Sequence, residues 1–268
     1  MSEPHLAATW EAMRRPGRSA LITYLTAGYP DRRTSLAALR TADRYADIIE
    51  VGVPFSDPVA DGPVIQRASF QALAMGMTLR GTLDLIAEAE LRRPVVLFSY
   101  LNPLLRRGVE RLAVEAEAAG VDGLLVTDLP VGADPALEAI LRAGRLDWIP
   151  LLAPTTSTAR IAAIDAGASA FLYLIGRLGV TGQGSRGAQG VGAEVARVRA
   201  SARRPIAVGF GIGTPEQVSA AARVADGVVV GSALVSALGA GGVGELEEVL
   251  ARLAPACLHP DPEGAACG

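Results

Sequence analysis

ALITYLTAGYPDRRTSLAALRTADRYADIIEVGVP, residues 20–54, holds a complete strand–helix–strand unit. Two short runs rich in apolar and β-branched residues, ALITYLTAG (20–28) and DIIEVGVP (47–54), flank a helix-period segment, SLAALRTADRYA (35–46). The runs are apolar on both faces rather than alternating, as expected where helices cover a parallel sheet. The same alternation recurs down the chain. Strand runs follow at PVVLFSYLNP (94–103), GLLVTDLP (123–130), DWIPLLAP (147–154), AFLYLIG (170–176), PIAVGFGI (205–212) and GVVVGSAL (227–234). Helix-period segments VERLAVEAEAAG (109–120), PALEAILRAG (135–144), TARIAAIDAG (158–167) and PEQVSAAARVA (215–225) lie between them. Eight strands alternating with helices predict right-handed crossovers and an α/β fold, a single (β/α)8 TIM barrel with an extra N-terminal helix. An open doubly wound sheet is the alternative. It would usually carry a G-x-G-x-x-G turn after the first strand, and TAGYPD is not one.

A single barrel routinely reaches 268 residues, and no break in composition marks a second domain. The reading is a barrel domain over 1–256 and a disordered tail over 257–268, CLHPDPEGAACG. A net charge of −3 calls for neither nucleic acid nor an anionic membrane. The start, MSEPHLAATWEAMRRPG, lacks the apolar core of a secretory signal. The uncharged run 227–244 carries six glycines and two serines, and reads as strand, turn and Gly-rich loop rather than a membrane span. The expectation is a soluble, cytoplasmic protein.

Two absences constrain the chemistry. All 25 basic residues other than histidine are arginine, and without a lysine there is no Schiff base and no covalently held pyridoxal phosphate. His5 and His259 lie near opposite ends and the only cysteines, Cys257 and Cys267, sit in the tail, so no zinc-ligand spacing exists. No cofactor and no zinc are expected, while a carboxylate-only magnesium site stays open on composition alone. Nucleophilic Ser-His or Cys-His catalysis lacks its histidine, which leaves acid/base work to carboxylates and tyrosines.

In a barrel the catalytic face lies at the C-terminal ends of the strands, where two long connections emerge. One is SDPVADGPVIQRASFQALAMGM (56–77). The other is GRLGVTGQGSRGAQGVG (176–192), whose glycines make it a candidate lid or a disordered surface loop. Glu50 sits between Val and Ile neighbours in DIIEVGVP, where burial would raise its pKa and suit it to proton transfer. The competing reading is a structural glutamate paired with an arginine. Asp57 and Asp61, in PFSDPVADGP, read locally as turn residues. Asp128, at the end of VTDLP, suits an Asx turn or a site equally. Glycine clusters GVTG (179–182), GFGIG (209–213) and VGSA (230–233) at three successive strand ends point to a phosphorylated ligand. Tyr24, Phe55, Tyr100 and Tyr173 also lie near strand ends, and suggest a flat apolar group or simply core packing.

TYLTAGYPD (23–31), IEVGVPFSDPVADGPVIQRAS (49–69), GVDGLLVTDLP (120–130), LGVTG (178–182), GFGIGTPEQV (209–218) and GSAL (231–234) occur in the order and spacing of a known family. From about Trp10 to the last helix the chain resembles the tryptophan synthase α subunits. The segment E-x-G-x-P-F-S-D-P-x-A-D-G-P-x-I-Q is highly specific for them. The resemblance implies a lyase of tryptophan biosynthesis that cleaves indole-3-glycerol phosphate to indole and glyceraldehyde 3-phosphate. It implies Glu50 and Asp61 as the catalytic carboxylates and Tyr173, the tyrosine of strand six, as a third member of the catalytic set. By the same match Tyr24, Ile65, Tyr100 and Asp128 fall in the indole pocket, and Gly182, Gly211, Gly231 and Ser232 at the phosphate. Asp57 falls in the loop that touches a β subunit in an α2β2 heterotetramer. Gly213 stands where a serine is common, Tyr29 where many relatives have aspartate, and the loop after Thr181 is unusually Gly-rich. A stand-alone lyase, an activating subunit without turnover and a sugar-phosphate isomerase are the competing readings. Retention of both carboxylates speaks against the second, and A-D-G-P-x-I-Q against the third.

Overall fold

The computed structural model describes residues 5–13, 17–143, 145–176, 186–209 and 211–259. Nine short strands form one parallel sheet: β1 (Ala20–Thr26), β2 (Ile48–Gly52), β3 (Val95–Ser99), β4 (Gly123–Val126), β5 (Asp147–Trp148), β6 (Leu151–Leu152), β7 (Leu172–Ile175), β8 (Ile206–Gly209) and β9 (Gly227–Val230). Their order is β5-β4-β3-β2-β1-β9-β8-β7-β6. The two ends of this list are one stretch of chain, because β5 and β6 are the halves of DWIPLL. The sheet therefore closes into an eight-stranded barrel whose fifth strand is in two pieces. Pro150 lies at the break, and without an N–H it cannot donate to a ladder. Ile149 N–H still reaches Leu124 O and the Pro150 carbonyl still accepts from Tyr173, at 3.0 Å each.

Helices α1 (His5–Met13), α2 (Arg32–Tyr45), α3 (Pro63–Ala74), α4 (Leu79–Ala89), α5 (Leu101–Arg107), α6 (Val109–Ala118), α7 (Pro135–Ala143), α8 (Thr158–Gly167), α9 (Arg186–Arg199), α10 (Pro215–Ala222) and α11 (Ser232–Leu253) complete the described elements, with a final 3-10 turn at Ala254–Cys257. Among the described residues no helix is long and apolar enough to cross a membrane. Buried residues on the outer faces of the strands, Leu21, Leu25, Ile49, Val51, Leu97 and Val208 among them, pack with the helices into the larger core. Ile22, Ile48, Val96, Leu125, Ile149, Phe171, Ala207 and Val229 fill the barrel interior together with Leu6 and Trp10. The extra N-terminal helix is thus a plug. Glycines make room for it: a Cβ on Gly123 would lie 2.6 Å from Leu6 Cδ1, and one on Gly227 would lie 2.7 Å from Trp10.

The N-terminal end of the barrel is tied by a repeated device. A side-chain oxygen just before one strand accepts an N–H at the start of the preceding strand. Asp47 takes Leu21 N–H at 2.9 Å, Asp122 takes Val95 at 2.8 Å, Ser169 takes Trp148 at 2.5 Å and Asp226 takes Ile206 at 2.8 Å. Such end groups have no ladder partner and would otherwise be buried unsatisfied.

Several boundaries differ from the sequence reading. The insert after β2 contains α3, started by Pro63 at its first turn, so most of it is helix. The third strand run stops at Ser99, and Leu101 begins α5. Residues 186–192 of the Gly-rich connection belong to α9, while 177–185, which include Gly182, lie outside the described residues. The division at 256/257 cuts through packed structure. Cys257 is buried, its carbonyl accepts from Ser19 N–H at 3.0 Å, and Leu258 bridges to Arg18. Residues 260–268 lie outside the described residues.

Candidate active site

Glu50 occupies the middle of β2, in register with Tyr24 of β1 and Val96 of β3. It is fully buried, and neither carboxylate oxygen has a hydrogen-bond partner among the described residues. Among the described residues no arginine pairs with it, which is what the structural alternative required. Burial without compensation disfavours the anion and pushes the carboxyl up to about 8. Glu50 is therefore mostly protonated at neutral pH and has a proton to give.

Tyrosines surround it. Tyr24 leans across Gly52, where any Cβ would overlap its hydroxyl, and lies against Gly231 on the other side. Tyr173 of β7 leans across Gly209 in the same way. Both phenols are held well above their usual range, first by burial. Tyr24 also feels Asp61 and Glu50, and Tyr173 feels Glu50, Tyr24 and Asp61. These interactions place one cluster of acids inside the C-terminal mouth of the barrel.

Asp61 reaches the cluster from the connection between β2 and α3. Its Oδ2 accepts from Tyr100 Oη at 3.0 Å. Burial pushes its carboxyl up to about 6 and the Tyr100 bond opposes the rise, so Asp61 remains mostly ionised at neutral pH. Two carboxyl groups in one site thus hold different protonation states, set by their surroundings.

The walls are aromatic and aliphatic. Tyr100 stacks on Phe55 with centroids 4.8 Å apart, and Tyr24 meets Phe98 edge-on at 5.1 Å. Ile65, in the first turn of α3, packs with Tyr24, Val235 and Phe98. Phe98 was missed by sequence reading. It lies two residues after the interior Val96, so counting alternate residues along β3 would have found it.

Past the mouth, β9 runs directly into α11. Gly231 is the N-cap with no side-chain cap bond, and the first α-helical bond is Val235 N–H to Gly231 O at 3.0 Å. The N–H groups of Ser232, Ala233 and Leu234 thus have no acceptor within the helix. Gly211 holds φ +68°, with open space where a Cβ would stand. Gly213 abuts Ala233, whose Cβ would be 2.9 Å from an added one, and its N–H is taken by Gln217 at 2.9 Å. The structure brings Glu50, Asp61, Tyr24, Tyr100, Tyr173 and Ile65 together. Asp128 is exposed, and its Oδ1 accepts Leu101 N–H at 2.6 Å, which caps α5. Asp57 is exposed on the outer loop, where it accepts from Ser56.

A family model described as tryptophan synthase alpha chain matches residues 10–257. The tryptophan synthase alpha chain of Rhizorhabdus wittichii is 45% identical, over 97% of this chain and 99% of that one. That of Acidiphilium cryptum is also 45% identical, over 88% and 87%. Among solved structures, tryptophan synthase from M. tuberculosis in an aminoacrylate- and BRD0059-bound form superposes with a TM-score of 0.87 at 36% identity, covering 97% of this chain and 100% of that chain. A mutant alpha-subunit from Pyrococcus furiosus gives 0.79 at 38% identity, covering 89% and 99%. With the barrel and its paired carboxyl groups, these matches lead to one conclusion: the chain belongs to the tryptophan synthase alpha chain family, the lyases of tryptophan biosynthesis that cleave indole-3-glycerol phosphate.

Proposed function

We propose that Glu50 and Asp61 carry this cleavage as a retro-aldol reaction without metal or cofactor, and that the chain works in the cytoplasm with a β subunit as an α2β2 assembly. The observation that carries the mechanism is the split in surroundings: Glu50 is buried without a hydrogen-bond partner among the described residues, while Asp61 accepts one from Tyr100, which favours the acid form of the first and the anion of the second. An indole carbanion at C3 is too basic to leave. Glu50, neutral at rest, gives its proton to C3 and creates an indolenine cation. Asp61, as an anion near the ring nitrogen, stabilises that positive charge. The Glu50 carboxylate then takes the proton from the adjacent glyceryl hydroxyl. As the aldehyde forms, the carbon–carbon bond breaks and its electrons restore the indole. Glu50 ends protonated, so the cycle closes without an external acid.

Tyr173 faces Glu50 and limits where its carboxyl can go. Tyr24, Ile65 and Tyr100 hold the indole, joined by Phe98. Asp128 acts on that pocket at one remove, by fixing the start of α5. The phosphate lies at the α11 N-terminus, where free N–H groups of Ser232 and its successors and the helix dipole favour an anion, with Gly211 and Gly231 leaving the backbone approachable; Gly182, outside the described residues, joins this site by the family resemblance alone. Asp57 faces the β partner. The test is indole release by Glu50→Gln, which keeps shape but cannot exchange a proton. Loss of acid/base catalysis costs about 10²- to 10⁴-fold, so kcat should fall by that much with substrate still bound. Unimpaired turnover would overturn the mechanism.

A further inference from the structure

Tyr100 stands where β3 passes into α5, as the N-cap residue of that helix. Its hydroxyl meets two neighbours on one short segment, the Ala60 N–H at 2.9 Å and the Asp61 carboxylate at 3.0 Å. A backbone amide can only donate, so the Ala60 bond occupies a lone pair of the phenol oxygen. The single hydroxyl proton is left for Asp61 Oδ2. The segment has no helix or strand to hold it. A turn closed by Asp61 N–H to Pro58 O at 3.0 Å, and by Gln66 Nε2 donating to the carbonyls of Pro58 and Asp61, fixes its main chain. Those bonds leave the Asp61 side chain free to rotate. Tyr100 supplies the one hydrogen bond to that carboxylate among the described residues.

We propose that Tyr100 is the positioning residue of this site: its hydroxyl clasps Ala60 and Asp61 and aims the Asp61 carboxylate at the substrate, a task separate from its ring's share in the indole pocket. The proposal rests on the role given to Asp61 above. The ring has its own support, the stack on Phe55 at 4.8 Å, which does not need the oxygen. The other ionisable groups around Asp61 are acids: Tyr24 on β1, Glu50 on β2, Tyr173 on β7 and, beyond Tyr100, Asp128 after β4. None of them gives the Asp61 carboxylate a hydrogen bond among the described residues, so the Tyr100 proton alone orients it and opposes the upward push of burial.

Tyr100→Phe removes the oxygen and keeps the ring, the stack and the pocket wall. A hydrogen bond to a charged group is worth roughly 10- to 100-fold in rate when it is needed in the transition state, and kcat should fall by that much. The acid limb of kcat/KM should move to higher pH, because Asp61 loses the bond that favours its anion. If Tyr100 acts through Asp61, adding Tyr100→Phe to Asp61→Asn should cost little more than Asp61→Asn alone. Wild-type kcat and acid limb in Tyr100→Phe, with Asp61→Asn impaired, would overturn the clasp and leave the role of Asp61 standing. Losses that multiply in the double variant would also overturn it, since Tyr100 would then act elsewhere. Full activity in Asp61→Asn would remove both.

Discussion

Glu50 shows what a functional residue costs its own fold. Folding takes a carboxyl from water into a place with no donor, and its pKa rises from 4.5 to about 8. Between those values the unfolded chain has released a proton that the folded chain retains. Stability contributed by the neutral form is therefore complete below about pH 4.5 and is lost as pH rises through about 8. Glu50→Gln removes the titration while keeping size and shape. The variant should match wild type in thermal stability near pH 5 and exceed it at pH 8, by on the order of 1–4 kcal/mol. Thermal unfolding at the two pH values checks this, and an equal difference at both would show that the carboxyl titrates normally. The same variant should be the slower enzyme. A group kept from ionising can release a proton to carbon, which a solvated carboxylate at pH 7 cannot do.

At the scale of elements, apolar runs were enough to locate all eight barrel positions, and helix periodicity located α2, α6, α7, α8 and α10. The misses have physical causes. Pro150 interrupts a run that reads as one strand. Leu101 and Asn102 look like a continuation of β3, yet Asp128, distant in sequence, caps them into α5. Cys257 and Leu258 look like a tail because their partners, Ser19 and Arg18, lie at the other end of the chain. Glu50 could be singled out as a charge in an apolar run. Asp61, in a Pro- and Gly-rich turn, could not, because the bond that holds its carboxylate comes from Tyr100, 39 residues away. The ties at the barrel's N-terminal end are long-range in the same sense. Asp47 is 4% exposed and accepts from both Leu21 N–H and Arg18 Nη2, the latter at 2.7 Å. Asp47→Ala would leave a strand-end N–H buried without an acceptor, which typically costs about 1–3 kcal/mol. Urea unfolding should show that loss with indole release unchanged below the transition, because the tie and the site lie at opposite ends of the barrel. A midpoint equal to wild type would mean that water replaces the carboxylate.

At the scale of the molecule, the barrel separates its tasks by end. The N-terminal end is plugged by α1 and tied by Asp47, Asp122, Ser169 and Asp226, while the C-terminal end carries the acids, the aromatic walls and the open start of α11. The connection from β2 to α3 joins the inside of that end to its outside. Asp61 points inward to Tyr100, and four residues before it Asp57 is exposed, with Val59 between them at 86% exposure. A single exposed valine is ordinary on a monomer surface. Beside an acidic residue, on the segment that carries Asp61, it suits the apolar part of a partner contact with a charge at its rim. Val59→Asp would place a carboxylate in that contact, where a buried unpaired charge is strongly unfavourable. Binding to the β subunit, followed by titration of one purified subunit with the other, should weaken at least about tenfold, which corresponds to about 1.4 kcal/mol. Indole release by the isolated chain should remain close to wild type, since the side chain at 59 faces away from the acids. If the proposed β subunit raises the rate of indole release, that rise should require proportionally more of it in the variant and still reach the wild-type plateau. Unchanged affinity would place the partner on another face, and a lost plateau with normal affinity would mean that residue 59 transmits the contact to Asp61.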